Sequence, residues 1–303
     1  MNNTLFNFKL KKINILILAI INLFSFNGVK AEEILRIGAI PDQNPEKLNR
    51  LYGVLVTELE KQLNIKVIYK PVINYAAAVT AFRTGNLDLV WFGGLTGVQA
   101  RLQTKGSNVL IQRDIDKNFH SVFIANKNSS LKKINNINGL KSLKDKRFVF
   151  GSESSTSGRL MPQYFLNKAG VQIKDFKGGV PGFSGSHDAT LLLVQSGSYE
   201  AGALNEQVWE SNIKSGRVDK SKVFVMWKTP PYYDYHWLAQ GNLDKKFRRG
   251  FTKELQEVFI SFNKKSKNQK KILELFGAKK FILSKNENYK KIEQIAREIG
   301  KIK

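Results

Sequence analysis

The sequence predicts an α/β protein built from two successive parallel-sheet units. Three observations carry that expectation. Residues 34–104 alternate short apolar runs with stretches of helical periodicity, in the order strand, helix, strand, helix, strand. The same alternation starts again at Phe148. Before it, the polar stretch from Asn126 to Asn138 has the composition of a surface connection. With 303 residues, 42% hydrophobic and 24% charged, the chain can hold one large or two medium domains.

Taken in order, Ile34 to Ala39 reads as the first strand and ends at Pro41-Asp42. Asn44-Pro45 caps a helix to about Leu63, with Leu48, Leu51, Val54, Leu55, Leu59 and Leu63 at helical spacing. Lys66 to Tyr69 is a second strand and Tyr75 to Arg83 a second helix. Gly85-Asn86 turns into a third strand, Leu87 to Phe92, and Gly93-Gly94 leads to a helix from Thr96 to about Thr104. Ligands of such sheets bind beyond the carboxyl ends of the strands. Here those ends carry Pro41-Asp42, Asn74-Tyr75 and Gly93-Gly94-Leu95-Thr96.

Val109 to Gln112 and Ser121 to Ala125 read as further strands, and Phe148 to Phe150 opens the second unit. Pro181 to Asp188 is a loop entering a helix that runs to about Gln195. Ala201 to Leu204 is a strand, Glu206 to Ser215 a helix and Val223 to Trp227 a strand. Thr229 to Trp237, with its two prolines, breaks the pattern. From Lys245 to Lys303 the chain reads as helical, with Phe251, Leu255, Val258, Phe259 and Phe262 on one apolar stripe.

One stretch stands out for its chemistry: Gly151-Ser152-Glu153-Ser154-Ser155-Thr156-Ser157-Gly158-Arg159. It lies where a strand hands over to a helix, and Pro162 falls in that helix's first turn, where a missing N–H has no consequence. First-turn amides are free there and the helix dipole is positive. Ser155, Thr156 and Ser157 add hydroxyl donors, so the stretch is either a helix cap with spare serines or a pocket for a small oxyanion that needs no formal positive charge.

Residues 1–31 are expected to be a secretory signal peptide. Lys9, Lys11 and Lys12 precede the apolar run Ile13 to Phe24, and cleavage is expected after Ala31. The run is short for a membrane anchor. The chain has no cysteine, hence no disulfide and no lipidated cysteine, which fits a free periplasmic protein. The net charge is +24, and the four lysines of residues 1–31 leave +20 on the rest. The lysines are spread along the chain, and the densest run, Lys264 to Lys271, reads as a solvated helix end. Export and this spread argue against a nucleic-acid partner, while the positive surface concentrates anionic ligands around the protein.

With these loops in place, the sequence resembles the substrate-binding proteins of phosphonate/phosphite-type ABC transporters. It is also similar to a branch that carries the label of selenate transporter binding proteins. The match rests on Asn74-Tyr75-Ala76-Ala77, Asp88 to Gly94, the hydroxyl stretch, Ser184 to Ala189 and Pro230 to Trp237, and it covers nearly all of the chain after residue 31. The resemblance implies the type II periplasmic binding protein fold: two α/β lobes, each a sheet flanked by helices, joined by two hinge strands. Residues 32–120 and 228–303 would form one lobe and 121–227 the other, with crossings near Ser121 and Trp227. It further implies that Tyr75 and the hydroxyls of Ser155, Thr156 and Ser157 hold the anion, with His187 and Asp234 beside it. At the first crossing, where the family has an aromatic, this chain reads Phe119-His120.

With the strand-end residues Thr96 and Asn205 added, the candidate ligand-binding set is Tyr75, Thr96, His120, Ser155, Thr156, Ser157, His187, Asn205 and Asp234. His187, at a helix start, is either a donor to the oxyanion or a structural residue. Tyr232, Tyr235 and Trp237 either wall the cleft or pack the hinge. Asp234 is the informative residue, because a carboxylate repels a fully ionised oxyanion and suits a ligand that keeps a proton or carries an amine. That favours a phosphonate-, phosphite- or phosphate-like ligand over selenate or sulfate.

The expected function is therefore oxyanion capture for a membrane permease by a monomer without cofactor. A ligand-sensing partner of a membrane receptor is the alternative on the same fold. An exported hydrolase is disfavoured: there is no G-x-S-x-G elbow, and His187 adjoins Asp188, which is not triad geometry. The three histidines, His120, His187 and His236, have no metal-ligand spacing.

Overall fold

The computed structural model describes residues 33–303. The expected signal peptide, residues 1–31, lies outside the described residues. Strand β1 (Leu35–Ala39) leads through α1 (Pro45–Leu63) to β2 (Val67–Tyr69), then through α2 (Tyr75–Arg83) to β3 (Leu89–Phe92). α3 (Gly94–Leu102) and β4 (Asn108–Arg113) follow. The chain then crosses to β5 (Ser121–Asn126), β6 (Phe148–Phe150), α4 (Met161–Lys168), β7 (Gly182–Phe183), α5 (His187–Gln195), β8 (Ala201–Asn205), α6 (Glu206–Lys214) and β9 (Val223–Lys228). It returns to β10 (His236–Ala239), α7 (Leu243–Lys246), α8 (Phe251–Ser261), α9 (Lys267–Phe276), β11 (Phe281–Leu283) and α10 (Lys290–Glu298).

The strands form two sheets, ordered β11-β4-β10-β3-β1-β2 and β7-β6-β8-β5-β9. β1 pairs parallel with β2 and β3, and β10 lies antiparallel between β3 and β4. In the second sheet β6 pairs parallel with β7 and β8, while β5 runs antiparallel to β8 and β9. β3 reads Leu-Val-Trp-Phe and is buried throughout, as a strand covered on both faces requires. α1 begins where the Asn44 side chain accepts from the amides of Glu46 and Lys47, and its Leu48, Leu51, Leu55, Leu59 and Leu63 are buried at the spacing read from the sequence. Asp88 holds the start of β3 by accepting from Arg36 on β1 at 2.9 Å and from Lys246 on α7 at 2.7 Å.

Two elements differ from expectation. The stretch read as a break before Trp237 passes into β10, which fills the middle of the first sheet. Four residues are too few for a periodic signal, and what makes them a strand is the space between β3 and β4. The C-terminal region is not all helical, since Phe281–Leu283 pairs with β4 as an edge strand. β9 also runs one residue past the expected return at Trp227, with Lys228 opposite Val122.

The two crossings pair with each other. Phe119 and Tyr232 exchange amide-to-carbonyl bonds of 2.8 and 3.0 Å, and the Thr229 amide donates to the Ser121 carbonyl at 3.0 Å. Beneath them the buried Arg113 and Asp116 form an ion pair of 2.6 Å. The Arg113 guanidinium also donates to the Phe276 carbonyl at 2.7 Å and stacks on Trp91, Phe119 and Tyr235. Among the described residues no helix is long and apolar enough to cross a membrane.

Candidate functional site

The hydroxyl stretch leaves β6 and enters α4 through a wide, π-helical first turn, Thr156–Leu160. Ser155 caps that turn, its Oγ accepting from the Gly158 amide at 2.9 Å. The capping reading of this loop is therefore correct for Ser155, but capping is not all the loop does. Thr156 Oγ1 accepts the Leu95 amide of α3 at 2.9 Å, and Asp234 Oδ1 accepts the neighbouring Gly94 amide at 2.8 Å. Two amides at one helix N-terminus are thus met by a hydroxyl from the second sheet unit and a carboxylate from the return crossing. Gly93 allows this approach: a Cβ there would stand 3.1 Å from Thr156 Oγ1 and 3.3 Å from Asp234 Oδ1.

Tyr75 starts α2 and is placed by Asn74, whose side chain accepts from the Ala77 amide at 2.8 Å. Its ring is buried, and neither its hydroxyl nor Asp234 Oδ2 has a hydrogen-bond partner within the protein. An unmatched donor and an unmatched acceptor in one buried cluster would suit a ligand that complements both. Ser155, Thr156 and Ser157 are buried with them. The Ser157 carbonyl accepts from Ser121 Oγ at 2.7 Å, and that hydroxyl also meets the Tyr232 hydroxyl at 2.7 Å. Tyr232 therefore packs at the crossing.

Burial sets the electrostatics. It pushes the Asp234 carboxyl up to about 7, against the bonds it accepts. It raises the Tyr75 phenol well above its usual value, which keeps it a donor. Among the described residues, the groups that meet in this cluster are hydroxyls, backbone amides and the Asp234 carboxylate, with the Asp42 carboxylate acting on Tyr75 from beside it.

The other candidates are placed differently. Thr96 is buried on the first turn of α3, with its hydroxyl donating to its own Gly93 carbonyl at 3.1 Å. His187, read as either a donor to the oxyanion or a structural residue, is engaged within the protein. Its Nδ1 accepts from the Asn205 amide at 3.4 Å, so the proton of the neutral ring sits on Nε2, 3.3 Å from the Tyr235 hydroxyl. Burial lowers this histidine to about 4. Asn205 caps α6 through Val208 and donates to Tyr235 at 2.9 Å, and Tyr235 in turn donates to Asp42 Oδ2 at 2.9 Å. His187 and Asn205 therefore border the cluster through Tyr235. His120 is not brought to it: Nδ1 meets the Thr229 carbonyl at 2.6 Å, and the ring lines an outer groove with Glu206, Glu210 and Lys228. Sequence reasoning missed the roles of Asp42, Ser121 and the Arg113–Asp116 pair. Ser121 is one polar residue opening an apolar strand, while Asp42, Arg113 and Asp116 lie in polar runs where nothing marks them out, and only the crossing brings them together. Among the described residues no three His, Cys, Asp or Glu side chains group as metal ligands.

Two sheets joined by a pair of crossing strands, meeting around a buried set of donors, define a two-lobed binding protein of the type II class. A family model, ABC transporter, phosphonate, periplasmic substrate-binding protein, matches residues 37–289. The chain is 57% identical over 282 residues to a probable ABC transporter phosphite binding protein of Prochlorococcus marinus, covering 93% of this chain and 95% of that one. A solved structure of that organism's protein in complex with methylphosphonate superposes with a TM-score of 0.88 at 58% identity, over 89% of this chain and all of the other. A phosphate-import protein of Mycolicibacterium smegmatis is 30% identical over 207 residues, covering 65% of this chain and 63% of its own. The chain belongs to the family of periplasmic substrate-binding proteins of phosphonate-type ABC transporters.

Proposed function

We propose that this protein captures a small, singly protonated phosphorus oxyanion, of the phosphite or methylphosphonate kind, and delivers it to a membrane permease. The observation that carries the reading is Asp234. It is fully buried, Oδ2 has no partner, and the groups around it are hydroxyls and amides. Donors from Tyr75, Ser155 and Ser157 suit bare oxygens, while Oδ2 suits an oxygen that keeps its proton. Sulfate and selenate have no such proton at neutral pH and would meet repulsion from Asp234 wherever it is ionised, strengthened by burial. The relatives named for phosphite, methylphosphonate and phosphate support this ligand class.

The same reading treats residues 1–31 as an export signal cleaved after Ala31 and the exported chain as a monomer that binds without catalysis. Its lobes comprise residues 32–120 plus 228–303 and residues 121–227, and the cleft between them closes on the anion. The test is titration calorimetry with methylphosphonate, phosphite, phosphate, sulfate and selenate, on wild type and Asp234→Asn. The phosphorus anions should bind wild type and weaken in the variant. Sulfate and selenate should bind poorly and gain, or stay unchanged, in the variant. Tight selenate binding by wild type, lost in Asp234→Asn, would overturn the reading.

A further inference from the structure

Apart from the hydroxyl and carboxylate cluster, the two sheet units are fastened by a second set of bonds. The turn after β1 meets the starts of α5 and α6. The Asp42 carbonyl accepts the first amide of α5, His187 N, at 3.0 Å. Two residues on, the Asn44 amide donates to Asp188 Oδ2 at 2.8 Å. Asn44 is already fixed as the cap of α1, since its side chain accepts from Glu46 and Lys47 at 3.0 and 3.2 Å. Its amide is therefore held in place before it meets Asp188. The other Asp188 oxygen accepts from Asn212 of α6 at 2.9 Å, and that asparagine is anchored to the Val208 carbonyl at 2.8 Å. Lys47, one turn along α1, reaches Ser211 at 3.3 Å. It is half-buried, donates also to Gln43 Oε1 at 2.5 Å, and is drawn electrostatically toward Asp188 and Asp42 with Arg217 and Arg50 opposing.

From this geometry we infer that Asp188, with Lys47, is a positioning residue that latches the two lobes and sets how long the anion stays bound without touching it. The inference rests on the proposed closure around an anion. Each partner is held within its own unit by local bonds, so the side-chain links that join them here are the bond between Asn44 and Asp188 and the reach of Lys47 to Ser211, beside the Asp42–His187 backbone bond. Opening the cleft must break these links, whereas the first encounter with ligand occurs before they form. The latch therefore acts on dissociation and leaves association alone. Asp188 also explains why adjacent His187 and Asp188 do different work: on a helix they point to different neighbours.

The experiment uses the full exported chain, wild type, Asp188→Ala and Lys47→Met, with phosphite and methylphosphonate as probes. Stopped-flow binding should show the dissociation rate rising roughly tenfold in Asp188→Ala, with association within about twofold, as loss of one charge-assisted bond predicts. Lys47→Met should move it the same way and less. The double variant should fall short of the product of the two effects, because the residues share one interaction. A ligand-independent measurement runs alongside. The chain has no cysteine, so one introduced on the surface of each sheet unit allows a dye pair to report the closed fraction without ligand. Asp188→Ala should lower that fraction while the melting temperature of the ligand-free protein stays within about one degree, a shift below that of 1 kcal/mol. Unchanged dissociation and an unchanged closed fraction would overturn the latch. A ligand-free melting temperature that falls along with both would overturn it too, by assigning Asp188 to folding. If neither probe binds wild type, the ligand assignment fails and the closed fraction alone decides: a drop in Asp188→Ala supports the latch, no drop refutes it.

Discussion

At the scale of single residues, the proposed closure would make Asp234 its link to proton chemistry. Its buried carboxyl titrates near 7, against 3.8 for an exposed one. Below 3.8 it is neutral either way, so closing carries no pH dependence from this group. Between 3.8 and about 7 the exposed form is ionised and the buried form is not, so closure without ligand costs about 1.4 kcal/mol more per pH unit as pH rises. Above 7 that cost is complete. Asp234→Asn removes it, so ligand-free closure should exceed wild type at pH 8, with the difference gone by pH 4; dye-pair measurements across pH read this directly. Tyr75→Phe should keep the shape and lose one donor, costing about 1.5–3 kcal/mol of phosphite binding by calorimetry. Near-wild-type affinity would remove Tyr75 from the site. The hydroxyl run and Asp234 were legible because they are polar residues where an α/β sheet presents its ligand face. Ser121 was not, being one small polar residue at the start of an apolar strand. His120 was placed with the anion, but successive side chains of an extended strand point to opposite sides. With Ser121 directed at the Ser157 carbonyl, His120 faces outward.

At the scale of elements, the N-terminus of α3 is the meeting point. Its Gly94 and Leu95 amides go to Asp234 and Thr156, so this helix start ties return crossing and hydroxyl loop together. Gly93→Ala tests that arrangement. Position 93 has an ordinary φ of −77°, so the backbone tolerates alanine, but the methyl would sit against Thr156 and Asp234. Anion affinity should fall by about tenfold or more while ligand-free melting stays near wild type; unchanged affinity would mean that the two elements can separate without loss. Most helices and strands were readable because local periodicity and tertiary demand agree in them, as in α1 and β3. β10 and β11 were not. Trp237-Leu238-Ala239 is an apolar triplet that becomes a central strand only because β3 and β4 leave a slot for it, and β11 owes its strand form to pairing with β4.

At the scale of the whole molecule, the proposed function makes ligand binding and lobe closure one equilibrium. A small-angle scattering curve should show a smaller radius of gyration with phosphite, and no compaction would confine the site to one lobe. At a hundredfold excess over the dissociation constant, bound anion should add roughly 2.7 kcal/mol of stability, visible as a raised melting temperature. The net charge beyond residue 31 is +20, while among the described residues the groups that meet around Asp234 are hydroxyls and amides. On the proposed site, attraction at a distance and recognition at contact fall to different groups, so added salt should slow association more than it hastens release. The arrangement around Arg113 then has a mechanical consequence. The guanidinium is gripped by Asp116, the Phe276 carbonyl and three aromatic rings just where the chain leaves the first sheet. Such a joint has a nailed fulcrum. Under the proposed closure, bending would be confined to the short paired ribbon of Phe119–Ser121 and Thr229–Tyr232, and the second lobe would swing about it as a rigid lever, turning a few degrees of twist at the pivot into a wide gape at the far rim.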